Sequence, residues 1–160
     1  KRIAAAVSDM QKMDKGSYDS SWGLRVVAWQ SAWLGFVDAP VFGVGTRGFD
    51  SLKQEQTAKK LVSPLILHSA LAHAHNQYMQ NMVIRGSVGF FALAVFLFYP
   101  IGLAIKNMGW MSAGVFIPLT FAINGLSDVP FEHQNVLYVY ALSLIFVWYS
   151  SEIKVNESAL

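Results

Sequence analysis

The stretch LAHAHNQYMQNMVIRGSVGFF, residues 71–91, sets His73, His75 and Asn76 just ahead of a run that carries no charge for twenty positions, 86–105. Three roles are open to a histidine there: metal ligand, buried structural group, or base, the last suited to a side chain that titrates near neutrality. Two arginines precede it. Arg25 has Trp22 at i−3 and Trp29 at i+4, and Arg47 sits within Gly43-Val44-Gly45-Thr46-Arg47-Gly48. Guanidinium groups suit bidentate oxyanion binding, so Arg25 reads as a phosphate clamp or as a snorkelling surface arginine. Gly43, Gly45 and Gly48 match the dinucleotide fingerprint, but a Pro-containing loop precedes them and no parallel-sheet pattern follows, so that reading is rejected. What remains is an N–H-rich loop beside a guanidinium, either an anion site or a simple turn. His68, His73 and His75 have no cysteine among them and no HExxH spacing, so no metal site is assigned. On a helix His73 and His75 would point about 200° apart, whereas His68 and His75 could converge. Asp128 and Glu132 follow a second apolar run, where a carboxylate is either a solvated loop charge or part of a site at the membrane edge.

The elements that must position these residues divide into two physically different halves. Of 160 residues 54% are hydrophobic and only 14% charged, a balance that points to a membrane. Residues 1–85 hold ten of the twelve Lys and Arg, while from Gly86 to Ser127 Lys106 is the only charged side chain. Three runs, at 86–105, 110–126 and 136–150, read as transmembrane helices. Lys106 and Lys154 fall on one side of them and Asp128 and Glu132 on the other, which by the positive-inside rule puts residues 1–85 and 127–135 outside the cytoplasm. The first half reads as helices joined by loops, with Ser20 or Ser21 capping a helix through Val37. Trp22, Val26, Trp29 and Trp33 share one face of it, suited either to a membrane interface or to a core. Residues 38–49 read as a Pro/Gly turn, and SLKQEQTAKKL as an exposed polar helix. The chain is expected to be all-α: a C-terminal piece of a polytopic membrane protein, with a helical loop region over 1–85 and three spans over 86–160. The absence of cysteine excludes disulfides, zinc–thiolate sites and thiol catalysis, and a net charge of +2 gives no footprint for nucleic acid.

His75-Asn76, nine residues, then Gly86-x-x-Gly89 resembles the H-[NSQ]-x9-G-x-x-G signature in the large periplasmic loop of bacterial O-antigen ligases. Upstream, LRVVAWQSAWLGFVDAPVFGVGTRGF is similar to that family's R-x3-hydrophobic helix and P-x-F-G-x-G turn, with Trp29 where Leu is common. The resemblance runs from about Ser20 to Ser150. It implies a polytopic, mainly α-helical enzyme of the bacterial inner membrane, its site facing the periplasm. Such an enzyme moves a glycan from undecaprenyl diphosphate to a sugar hydroxyl of lipid A core, with no nucleotide, metal or other cofactor. Within the resemblance His75 is the base on the acceptor hydroxyl, and Arg25 and Arg47 hold the diphosphate. Asn76 and Asp128 are substrate-binding, and Gly86 and Gly89 are motif glycines. O-antigen polymerases and protein O-oligosaccharyltransferases share the His-Asn core and stay open as alternatives. From another class, so does a transporter or an inactive membrane scaffold. Transporters place ionisable groups at the midplane, whereas here they gather on one outer side, as a membrane-surface enzyme requires.

Overall fold

The structure is a computed structural model that describes Tyr18, residues 20–68 and residues 71–158, the side chains of 152–158 excepted. The described residues form five α-helices, α1 Ser21–Asp38, α2 Gly48–Ala58, α3 Gln77–Met108, α4 Ala113–Asn124 and α5 Gln134–Ser158, with short 3-10 turns at Pro64–Leu67 and Pro130–Glu132 and no strand. The all-helical expectation holds. The chain divides after Phe90 into two compact units.

In the first unit α1 begins where its cap predicts: the Ser20 hydroxyl accepts from the Gly23 N–H at 3.0 Å. Its buried face is not the tryptophan stripe but the small-residue face Gly23, Val27, Ala28, Ser31, Ala32 and Gly35. Trp22 and Trp33 are exposed, Trp29 half-buried. Small side chains let neighbours approach closely, and at Gly35 an added Cβ would come within 2.9 Å of Val83. Two apolar clusters result. Val27, Ala28, Val62, Ile66 and Leu71 make one, and Ala32, Phe49, Ala74, Val83 and Ile84 the other. Expected to be exposed, α2 instead buries Phe49, Lys53 and Gln56 at i, i+4 and i+7. Gln56 binds α1 twice, accepting from the Ser31 hydroxyl at 2.6 Å and donating to the Ser31 carbonyl at 3.1 Å. Residues 71–76 are irregular, and α3 starts only at Gln77, so the helical geometry considered for His73 and His75 does not apply.

The second unit holds the apolar remainder. Among the described helices α3 is long and apolar enough to cross a membrane, while α4 is apolar but 12 residues long. Apolar side chains face outward from α5, including Leu142, Ile145, Phe146 and Tyr149, as lipid contact would require. Inside, Phe96, Phe121, Phe131 and Tyr140 stack with ring centroids 4.9–5.5 Å apart, and the Tyr140 hydroxyl donates to the Phe96 carbonyl.

Candidate active site

His75 stands at the sharp corner between the irregular segment and α3. Its φ of 48° is left-handed, uncommon for a residue with a side chain though histidine tolerates it better than most. Both flanks hold it there. On one side Ala74 is fully buried, and its N–H donates to the buried Gln80 side chain at 2.8 Å. On the other, the Asn76 Oδ1 accepts from the N–H groups of Tyr78 and Met79, both at 3.0 Å, and so caps α3. A third hold acts at the start of the segment. Lys53 is 6% exposed and donates to the Leu71 carbonyl at 3.0 Å, while Asp50 pairs with it at 2.6 Å and the Phe49 ring lies 5.0 Å away. The imidazole, half-buried, is thus carried by a backbone pinned at Leu71, Ala74 and Asn76. Next to it, burial pushes the Tyr78 phenol up, so that side chain stays neutral at ordinary pH.

Eleven residues beyond His75 the helix is cut open. Gly86 has φ 64° and ψ −159°, a region only glycine occupies freely. In an unbroken helix the carbonyls of Val83 and Ile84 would accept from Ser87 and Val88. Here the turn at residues 40–45 takes over all four groups. Val44 and Gly45 donate to Val83 and Ile84 at 2.8 and 3.0 Å, while Ser87 and Val88 donate to the carbonyls of Pro40 and Val41 at 2.8 and 3.3 Å. The two backbones meet so closely that a Cβ on Gly43 would lie 2.5 Å from the Arg85 nitrogen. One on Gly86 would lie 2.6 Å from the Phe42 nitrogen and closer still to Val41. The glycines of the P-x-F-G-x-G turn and of the G-x-x-G segment are therefore two halves of one joint.

That joint ties the turn leading to Arg47 onto the helix that begins after His75. Arg47, exposed, immediately precedes α2. Arg25 is half-buried on α1, its guanidinium 6.0 Å from the Trp22 ring, and the indole N–H of Trp29, one turn on, is buried with no acceptor among the described residues. Asp128 belongs to the second unit, between α4 and α5, where its carboxylate accepts from the Val129 N–H at 2.8 Å. His73 is half-buried and His68 exposed, and among the described residues no three His, Asp or Glu side chains gather into a group that could hold a metal ion. A cleft of about 420 Å³, bordered by Val27, Gln30, Thr57, Lys60, Val62 and Pro64 among others, includes none of the predicted site residues. Sequence reasoning passed over Lys53, Gln80 and Arg85. For Lys53 the spacing from Phe49 to Gln56 was the available signal, and for Arg85 its place as the last charge before the apolar run.

Residues 2–94 match the family model described as O-antigen ligase, more than half of the chain. The chain belongs to the O-antigen ligase family. An uncharacterised protein of Haemophilus influenzae is 36% identical over 109 residues, which cover 68% of this chain and 27% of that relative. The match to the O-antigen ligase family takes in α1, the 40–45 turn, the His75 corner and the joint at Gly86, so the resemblance read from short motifs extends over the whole first unit. In this ligase-family chain the Asn76 of the His-Asn pair uses its side-chain oxygen on the α3 cap, and His75 forms the left-handed corner before it.

Proposed function

We propose that the chain is the catalytic loop region and adjoining spans of an O-antigen ligase, which transfers a glycan from undecaprenyl diphosphate to a sugar hydroxyl of lipid A core at the periplasmic face of the inner membrane. The observation that carries the reading is the corner at His75, a strained histidine held on both flanks and joined through its helix to the turn that leads to Arg47. In this mechanism His75 takes the proton of the acceptor hydroxyl while the hydroxyl oxygen bonds to the anomeric carbon. The bond from that carbon to the phosphate oxygen breaks, and undecaprenyl diphosphate leaves with the electron pair. Arg25 and Arg47 stabilise the charge on the departing diphosphate, where fixed cations are most effective. Asn76 sets the histidine, and the family resemblance adds Asp128 as a substrate-binding residue. No metal or cofactor takes part. The runs at 86–105, 110–126 and 136–150 span the membrane, and the exposed Trp22 and Trp33 lie at headgroup depth.

A transfer assay with the full-length protein in vesicles tests this, offering lipid A core, a glycosylation-site peptide and a second lipid-linked glycan in parallel. Transfer to lipid A core is the expected result. Preference for the second glycan would make the protein a polymerase, preference for the peptide an oligosaccharyltransferase, and no transfer to any acceptor would remove the enzymatic reading.

A further inference from the structure

Arg85 is the last charge before the apolar run, and three features of the fold set where its guanidinium goes. Its backbone is clamped by the 40–45 turn, since Ile84 accepts from Gly45 and Gly43 has no Cβ to collide with the Arg85 nitrogen. Its stem runs across Gly89, where an added Cβ would press on the Arg85 Cβ and come within 3.2 and 3.3 Å of its Cγ and Cδ. Its Nη1 donates to the Asn81 Oδ1 at 3.0 Å, and Asn81, 6% exposed, is itself oriented by donating to the Gln77 carbonyl at 2.9 Å. The bond to Asn81 thus orients the guanidinium. Arg85 remains exposed. A snorkelling arginine needs none of this, because a mobile stem reaches the headgroups equally well.

We propose that Arg85 is a phosphate-binding residue, contacting the lipid-side phosphate of the polyprenyl diphosphate donor; the inference rests on the function proposed above. Depth supports the assignment. The headgroup layer is about 5–8 Å thick on each face of the bilayer, and the apolar run starts one residue after Arg85, which sets the guanidinium among phosphates. The helix from Gln77 to Arg85 is about 12 Å long and the two residues back to His75 add at most about 7 Å, so the His75 corner stands within about 19 Å of Arg85. Two groups at that separation suit a substrate whose lipid-side phosphate lies in the headgroup layer and whose sugar projects out of it. Gly89 then has a use beyond close packing: it is the track along which the Arg85 stem passes.

The competing source of the same phosphate chemistry is bulk phospholipid, and the experiment separates the two. Full-length protein in phosphatidylcholine nanodiscs is titrated with undecaprenyl diphosphate, as wild type, Arg85→Ala and Arg85→Lys, and phospholipid co-purified with each is counted by native mass spectrometry. The expected result is a loss of affinity of at least about tenfold for Arg85→Ala, the scale of a hydrogen bond to a charged group, with little recovery in Arg85→Lys and retained phospholipid unchanged. Equal melting temperatures of the three proteins exclude a folding defect. Wild-type binding of undecaprenyl diphosphate with no loss in Arg85→Ala would overturn the inference alone. So would loss of retained phospholipid with donor affinity intact, since the phosphate would then be bulk lipid's. Failure of the wild type itself to bind would overturn the functional reading, and this inference with it.

Discussion

Replacing Gly86 by alanine isolates the joint between the 40–45 turn and α3. Two costs arise at once. The backbone at φ 64°, ψ −159° costs a residue with a side chain about 1–3 kcal/mol. The new Cβ also collides with the Val41 carbonyl and sits 2.6 Å from the Phe42 nitrogen, so the turn must back away. Losing the bonds from Ser87 to Pro40 and from Val88 to Val41 removes about 0.5–1.5 kcal/mol each. The sum is about 2–6 kcal/mol, a fall of roughly 5–25 °C in melting temperature for a chain of this size. Gly45 supplies the control. Its φ is 82°, but an added Cβ would meet nothing within 4 Å, so Gly45→Ala should cost only about 1–2 kcal/mol for the left-handed backbone. Gly43→Ala should resemble Gly86→Ala, because its Cβ would lie 2.5 Å from the Arg85 nitrogen. Thermal unfolding of the full-length protein in detergent measures the series, and amide hydrogen exchange at Val44, Gly45, Ser87 and Val88 locates the damage. If Gly86→Ala melts within about 2 °C of Gly45→Ala, or exchange at Ser87 and Val88 is unchanged, the turn does not hold the break and the account of the joint is refuted.

Three further expectations concern the chemistry. His75→Ala should lower the transfer rate at least about 100-fold, the low end for general base catalysis, with donor binding nearly intact, whereas His73→Ala should cost far less; equal losses, or rescue by a divalent metal, would rule out the base role. At Arg25 and Arg47, lysine should restore little of what alanine removes, because it keeps the charge and loses the fork, and recovery of most activity at both positions would reduce them to general positive potential. A cysteine introduced at Gln54 should react with an impermeant thiol reagent in intact spheroplasts and one at Asn107 should not, and the opposite pattern would reverse the orientation of the loop region.

The parts of this fold that depend on neighbours in sequence could be read directly. The Ser20 cap, the 38–49 turn and the apolar run after Arg85 each carry their signal within a few residues. The tryptophan stripe left two readings open, membrane interface or core, because periodicity marks a face without saying which way it points. Small residues, with Gly35 against Val83, turned the opposite side of α1 inward. The backbone through His73 and His75 was not legible either, since Lys53, eighteen positions upstream, holds the Leu71 carbonyl and Gln80 holds the Ala74 N–H, and local propensity is too weak to resist. At the candidate site the residue types were legible while their geometry was not. Gly86 read only as a motif glycine, and the partner that explains its conformation, at Val41 and Phe42, lies more than forty positions upstream. Asn76 read as substrate-binding, and its side-chain oxygen is occupied by a cap.

The four bonds of the joint are all between backbone groups, and apart from the glycines they read no side chain. They close a ring in the polypeptide from Pro40 to Val88, much as a covalent staple would, and loop-closure entropy makes such a ring tolerant of changes in its circumference. Everything between the two halves, α2 and the corner at His75 included, is a cassette mounted on a fixed clasp. Acceptor-facing segments could then diverge in length and composition among relatives while the clasp and the membrane-side helix stay the same. Exchanging residues 46–82 together with Ser31, the partner of Gln56 on α1, between two members should therefore preserve folding where shorter grafts, which cut through the Lys53–Leu71 and Gln56–Ser31 contacts, do not.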